Sequence, residues 1–123
     1  MISDDQPFVR IGENGIFACG SPYNGKERLG ANIEAPVGGV CVCLRGKESL
    51  IERLSPAKAA LGFAPNVYIP NEPELASKAL ILINHLVQTA PVYRHFLNLE
   101  PNAAEYAMKR LTGSGECLSR FIH

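Results

Sequence analysis

The stretch from Glu74 to Thr89 constrains the fold most, because it is helix-prone and apolar on almost every side. One helical face carries four apolar residues and four more cover much of the rest: Leu75, Ala79, Leu82 and Leu86, then Leu80, Ile81, Ile83 and Val87. A helix with so little polar surface is expected to lie mostly buried against a sheet, and Pro91 ends it. No apolar run approaches the ~18 residues of a membrane span, so no membrane partner is expected.

Two short β-prone runs near the N-terminus predict a hairpin. Pro7–Ile11 and Gly15–Gly20 flank Glu13-Asn14-Gly15, and Asn-Gly tolerates the positive φ angles of a tight turn. Residues 21–36, rich in turn formers, predict a loop.

The remaining elements follow from local patterns. Val37–Leu44 is apolar without alternation, which predicts a buried strand, and Leu50–Leu54 and Val92–Leu97 predict two more. Ser55 and Pro56 are expected to cap and open a helix that stops near Gly62. Pro101 predicts the start of a last helix, through Leu111. The expected class is α/β: a mixed β-sheet with an N-terminal hairpin, packed by two or three helices.

Composition narrows the function classes. The chain has 123 residues, of which 46% are hydrophobic, so one globular domain is expected over residues 1–113, followed by a loose tail at 114–123. Twelve basic residues balance twelve acidic ones, which argues against a nucleic-acid partner. Asp4 and Asp5 stand where a signal peptide would carry lysines, so we expect a cytoplasmic protein with free thiols.

One segment has the spacing of a phosphate-binding loop. Gly20-Ser21-Pro22-Tyr23-Asn24-Gly25-Lys26-Glu27 matches G-x-x-x-x-G-K, but Glu27 stands where Mg²⁺ needs a hydroxyl. Pro22 removes an N–H that could bind phosphate, and no helix is predicted to follow. A turn that ends a strand and carries a surface lysine is the favoured interpretation.

The cysteines and histidines show no familiar metal motif. Cys41 and Cys43 alternate onto one face of their strand, but Cys-x-Cys lacks the gap of common zinc knuckles. We expect both thiols to be buried in the core, although metal or redox use stays open. His85, in the apolar helix, and His95, in a strand, are expected to be hydrogen-bonded structural residues.

Five segments together resemble the HPr kinase-like family, which has the phosphoenolpyruvate carboxykinase-like fold. Ile2-Ser3-Asp4-Asp5-Gln6-Pro7 is similar to its acidic-pair segment, and Gly20 to Glu27 resembles its Gly-Thr-Pro-Trp-x-Gly-Lys turn, with Tyr23 in place of Trp. Three more matches complete a resemblance that covers about residues 2–111: Asn32-Ile33-Glu34-Ala35-Pro36, Ile51 to Ala57, and Ala90-Pro91-Val92-Tyr93-Arg94.

The resemblance implies a partial phosphoenolpyruvate carboxykinase-like fold and a set of site residues. Asp4 and Asp5 match acids that hold Mg²⁺, Asp5 is the implied catalytic residue, and Lys26 is a weaker candidate for binding ATP. In the family the phosphate-binding loop lies upstream of the acidic pair. If these residues are the whole protein, the nucleotide-binding half is therefore absent, and the isolated chain is expected to use neither Mg²⁺ nor ATP.

Three functions remain open at this stage. The first is the C-terminal portion of an HPr serine kinase-like protein, inactive until an N-terminal half completes it. The second is a non-enzymatic binding or assembly module on the same scaffold, and the third is a small Mg²⁺-dependent phosphotransferase using Asp4, Asp5 and Lys26. Because a half-sheet leaves an unpaired edge and apolar surface, a homo-oligomer is also expected.

Overall fold

The computed structural model describes residues 1–98 and 100–112. The chain forms ten elements in the order β1 (Phe8–Gly12), β2 (Gly15–Cys19), β3 (Glu34–Pro36), β4 (Val40–Arg45), β5 (Leu50–Arg53), α1 (Pro56–Phe63), a 3₁₀ turn (Ala64–Asn66), α2 (Pro73–Thr89), β6 (Val92–Leu97) and α3 (Ala103–Thr112). The α/β class is confirmed. The expected tail at 114–123 lies outside the described residues, as do Cys117 and His123. Within the described part, no helix combines the length and hydropathy that crossing a membrane requires.

The strands form two three-stranded sheets rather than the single mixed sheet predicted. The first is antiparallel in the order β1-β2-β3, and the second is mixed in the order β4-β6-β5. In the second sheet the central strand β6 runs parallel to β4 and antiparallel to β5. Local patterns identify strands but not their long-range partners, which is why the partition was missed.

The chain divides into two compact units. The first comprises Met1–Gly38 and Ile69–Ala90, and so holds the antiparallel sheet and α2; its buried apolar residues are Ile16, Ile83, Leu86, Val87 and Ala90. The second comprises Gly39–Tyr68 and the described residues from Pro91 onward, with Ile51, Ala59, Val92 and His95 buried.

The N-terminal hairpin is confirmed. Ile11 pairs with Ile16 and Gly12 with Gly15, so Glu13 and Asn14 form a two-residue turn. Gly15 takes a φ of +122°, a conformation that side-chain-bearing residues rarely adopt. The strand β3 was missed because it has only three residues, ends in Pro36 and lies inside the predicted loop.

Helix α2 is buried along one stripe only, which corrects the prediction of a mostly buried helix. Ile83, Leu86 and Val87 are buried, whereas four of its apolar side chains are exposed: Leu75, Leu80, Ile81 and Leu82. His85 is also exposed. The apolar sequence shows that most of the helix surface is suited to burial, but in the structure only one face is covered.

Two smaller predictions near β4 and α1 are also corrected. β4 is an edge strand whose last three residues are exposed, so the expected buried strand is wrong. Ser55 occupies the N-cap position of α1, and its side chain makes no capping hydrogen bond. Pro56 begins the helix as predicted, because its missing N–H costs nothing in the first turn.

Candidate functional site

The first candidate site lies in the first unit, where the acidic-pair segment (residues 2–7) contacts the Gly-rich turn (residues 20–31). The Asp4 carboxylate accepts a hydrogen bond from the backbone N–H of Gly25 at 3.0 Å and another from Leu29 at 3.3 Å. The Ala31 N–H donates to the Ile2 carbonyl at 3.0 Å, and the Ser21 hydroxyl donates to the Gln6 carbonyl. Two segments about 20 residues apart in sequence are therefore joined in space.

Asp4 caps a tight turn. The Arg28 N–H donates to the Gly25 carbonyl at 3.2 Å, and Arg28 adopts a left-handed φ of 50°. Because the N–H groups of Gly25 and Leu29 both donate to Asp4, they are not free to bind a phosphate. No helix follows this turn in residues 27–33. The spacing G-x-x-x-x-G-K therefore corresponds here to a carboxylate-capped turn.

The electrostatics of Asp4 follow from this capping. The N–H of Gly25 is the largest cause that holds the pKa of Asp4 below its ordinary value of 3.8, and the N–H of Leu29 lowers the pKa further. Partial burial works in the opposite direction and raises the pKa. The balance favours the ionised carboxylate, which is the form that accepts both hydrogen bonds.

A side chain would be crowded at two glycine positions of this contact. A Cβ on Gly25 would lie 3.0 Å from an Asp4 carboxylate oxygen, and a Cβ on Gly20 would overlap the backbone carbonyl of Ala31. The second clash involves rigid backbone, so no side chain fits at residue 20 without displacing the loop. The small residues of this motif therefore permit close backbone approach.

The other residues implied by the resemblance lie at the same place but are exposed. Asp5 follows Asp4 in a bend, and its N–H donates to the Ser3 hydroxyl at 3.2 Å. Lys26 lies in the capped turn with its side chain exposed. Mg²⁺ is commonly held by one or two carboxylates together with substrate phosphates and water. The exposed Asp5 fits that donor set, whereas both carboxylate oxygens of Asp4 already accept backbone N–H groups.

The second candidate site lies in the second unit and was not predicted as a site. Cys41 and Cys43 lie on one face of β4, and the parallel register places Cys43 opposite His95 of β6. The two sulfurs and a ring nitrogen of His95 lie within 4.8 Å of one another. This is the one such group of metal-ligating side chains in residues 1–98 and 100–112.

The three residues of this Cys/His cluster differ in exposure. His95 is buried at 2% exposure, Cys41 is half-buried, and Cys43 is exposed, so the expectation of two buried thiols is wrong for Cys43. Burial raises the pKa of Cys41 to about 11, with the neighbouring Cys43 as a further cause. Exposure increases along β4, from the half-buried Val40, Cys41 and Val42 to the exposed Cys43, Leu44 and Arg45.

His95 contradicts the expectation of a hydrogen-bonded structural histidine. Its Nε2 is buried and has no hydrogen-bond partner within the described part of the chain. The ring of Tyr106, from α3, lies 6.1 Å away between centroids. A Cys-x-Cys pair followed by a histidine in a second strand was visible in the sequence, but only the parallel pairing of β4 and β6 brings the three together.

Comparison of the chain with protein-family models, curated proteins and solved structures found no match.

Proposed function

We propose that this chain is the C-terminal portion of an HPr serine kinase-like protein, with Asp5 as the carboxylate that acts on the reacting groups. The observation that carries the proposal is the hydrogen bonding of Asp4 to Gly25 and Leu29. These bonds join the acidic pair to the Gly-rich turn, and the sequence resemblance rests on the same two segments. A chance likeness of short strings gives no reason for them to meet.

The two acids divide the work. Asp4 uses its carboxylate oxygens to hold the turn, which fixes the backbone from which Asp5 projects. Asp5 is exposed and is free to bind Mg²⁺ or to accept the proton of an attacking hydroxyl. Mg²⁺–ATP, when bound, supplies the phosphoryl group and neutralises its charge.

Lys26 is one of two cations in the same turn, beside Arg28. Its exposed side chain lies one residue after Gly25, whose N–H is bound to Asp4. We assign Lys26 to binding the phosphates of ATP rather than the molecule that accepts the phosphoryl group. An ammonium group on a flexible side chain acts as a point charge, which suits it to phosphate.

A phosphate cradle must come from elsewhere. The 123 residues contain no Gly-x-x-x-x-Gly-Lys followed by Ser or Thr, and the N–H groups of Gly25 and Leu29 are bound to Asp4. An N-terminal half, in the same or another chain, is the partner that would complete the site. The free thiols suit the reducing cytoplasm, where such a phosphotransferase would act.

The test is phosphoryl transfer by two forms of the protein. The chain alone, and the chain joined to the coding sequence that precedes it, are each incubated with γ-labelled ATP, Mg²⁺, a serine-containing protein and a small alcohol. We expect transfer only by the joined form. Asp5→Asn should lower its rate about 10²–10⁴-fold, the usual contribution of a positioned general base.

Glu13→Gln is the matched control, because Glu13 is an exposed acid of the same unit at the hairpin turn. It should leave the rate unchanged. Transfer by the chain alone that is lost on Lys26→Ala would overturn the proposal and restore the phosphate-loop interpretation of Gly20 to Glu27. Absence of transfer by both forms would favour a non-enzymatic binding module.

A further inference from the structure

The Cys/His cluster offers the donor set of a zinc site. Thiolate and imidazole are the ligands that zinc prefers in proteins, whereas Mg²⁺ and Ca²⁺ prefer oxygen. In a tetrahedral site with Zn–S near 2.3 Å and Zn–N near 2.0 Å, neighbouring sulfur and nitrogen donors are about 3.5–3.8 Å apart. The donors here are within 4.8 Å of one another, so closure needs only about 1 Å of side-chain movement.

The scaffold holds the donors from two adjacent strands. β4 provides Cys41 and Cys43 at alternate positions, and β6 provides His95 directly opposite Cys43. Ligands on strands are positioned by the backbone ladder, so little conformational entropy remains to be lost when a metal binds. The exposed Cys43 marks the side from which an ion reaches the cluster.

The unpartnered nitrogen of His95 is the independent observation. Its Nε2 is buried with no partner among the described residues, and a buried polar atom without a partner destabilises the fold. Native proteins rarely retain such a group without a reason, and coordination of a metal ion would satisfy it. The histidine is 2% exposed and lies beside the two sulfurs.

We propose that Cys41 Sγ, Cys43 Sγ and His95 Nε2 bind Zn²⁺, with water in the fourth position. Each thiol gives its proton to the solvent as its sulfur binds, so two thiolates balance the charge of the ion. Three protein ligands and one open position are the arrangement of catalytic rather than structural zinc sites. The site lies in the second unit and does not depend on the proposed kinase function.

The test uses the full, reduced chain and Co²⁺ as a spectroscopic substitute for Zn²⁺. We expect one equivalent of Co²⁺ to give thiolate-to-cobalt charge-transfer absorption and the visible bands of tetrahedral cobalt, and Zn²⁺ to displace it. Cys43→Ser and Cys41→Ser should each weaken Zn²⁺ binding at least tenfold, since loss of an outer partner alone costs about 10–100-fold.

Cys19→Ser is the matched control. Cys19 is a half-buried free thiol of the first unit, so its replacement should leave metal binding unchanged. Because Cys43 is exposed, its substitution tests the site without disturbing the core. Metal binding that survives in a Cys41→Ser/Cys43→Ser double variant would overturn the proposal. So would a chain that binds no metal when reduced and instead forms a Cys41–Cys43 disulfide on exposure to air.

A second readout tests the histidine without mutating a buried residue. In protein labelled with ¹⁵N-histidine, the Nε2 resonance of His95 should shift on addition of one equivalent of Zn²⁺. The resonances of His85, which is exposed and lies on α2, should stay in place. A site in which only water contacts His95 would leave both histidines unshifted and would contradict the assignment.

Discussion

In the first unit the Asp4 carboxylate accepts two backbone N–H groups, whereas in the second unit the Nε2 of His95 is buried without a partner in the described residues. Asp4 lies next to the exposed carboxylate of Asp5, and His95 lies beside the thiols of Cys41 and Cys43. The difference indicates how each unit acquires function. In the proposals made above, the hydrogen-bonded Asp4 carboxylate would hold the exposed Asp5 in place, whereas the unpartnered nitrogen of His95 would bind a metal ion.

The largest effect expected concerns the core of the first unit. Leu86 is 2% exposed, so Leu86→Ala should lower the free energy of unfolding by about 2–5 kcal/mol, because it leaves a cavity among buried neighbours. Leu82→Ala is the control on the same helix; Leu82 is 51% exposed, and the change should stay within about 0.5 kcal/mol. Equal losses in denaturant titrations would show that α2 is covered on both sides, as the predicted homo-oligomer could do.

The next largest effect is a difference in alkylation rate between Cys41 and Cys43, the two thiols of the second unit. With a pKa of about 11 rather than the ordinary 9.0, Cys41 carries about a hundredfold less thiolate at neutral pH. In metal-free protein we expect Cys43, which is exposed, to be alkylated first, and the rate at Cys41 to rise as the pH approaches 11. Mass spectrometry of each thiol over time measures this. Equal rates for both thiols at pH 7 would contradict the difference in burial.

The smallest effect is the response of the first unit to acid. Because the pKa of Asp4 is lowered in the folded protein, its contribution to stability is present above the ordinary value of 3.8 and is lost as the pH falls through the folded pKa. Asp4→Asn retains one acceptor oxygen, so it should weaken the turn and reduce the acid sensitivity of residues 20–31. Asp5 makes none of these contacts, so Asp5→Asn should leave the acid transition of the unmodified protein unchanged. An unchanged transition in Asp4→Asn would show that the capping bonds add nothing.

Sequence alone predicts the elements well where the signal is local. Asn14-Gly15 predicts the hairpin, Pro56 the start of α1, and the run of apolar residues predicts α2 to within a residue. These signals act within a few residues, so they do not depend on the rest of the fold.

Long-range pairing limits prediction of the sites. Nothing local shows that β4 pairs with β6, about 50 residues away, and this pairing alone assembles Cys41, Cys43 and His95. Likewise, the resemblance indicates Asp4 and the Gly-rich turn separately, while the bond from Gly25 to Asp4 appears only in the structure. Exposure was missed for a related reason, because the apolar sequence of β4 does not show that the rest of the fold leaves Cys43 and Leu44 uncovered.

Backbone hydrogen exchange with and without Zn²⁺ tests the contrast between the units most directly. One equivalent of Zn²⁺ should slow exchange in Val40–Arg45 and Val92–Leu97, and at a free concentration of 100 Kd it should add about 2.7 kcal/mol to the stability of the second unit. Residues 2–6 and 20–31, where Asp4 already accepts the N–H groups of the turn, should exchange at an unchanged rate. Slowing in the first unit, or no change in either strand of the second, would contradict the account.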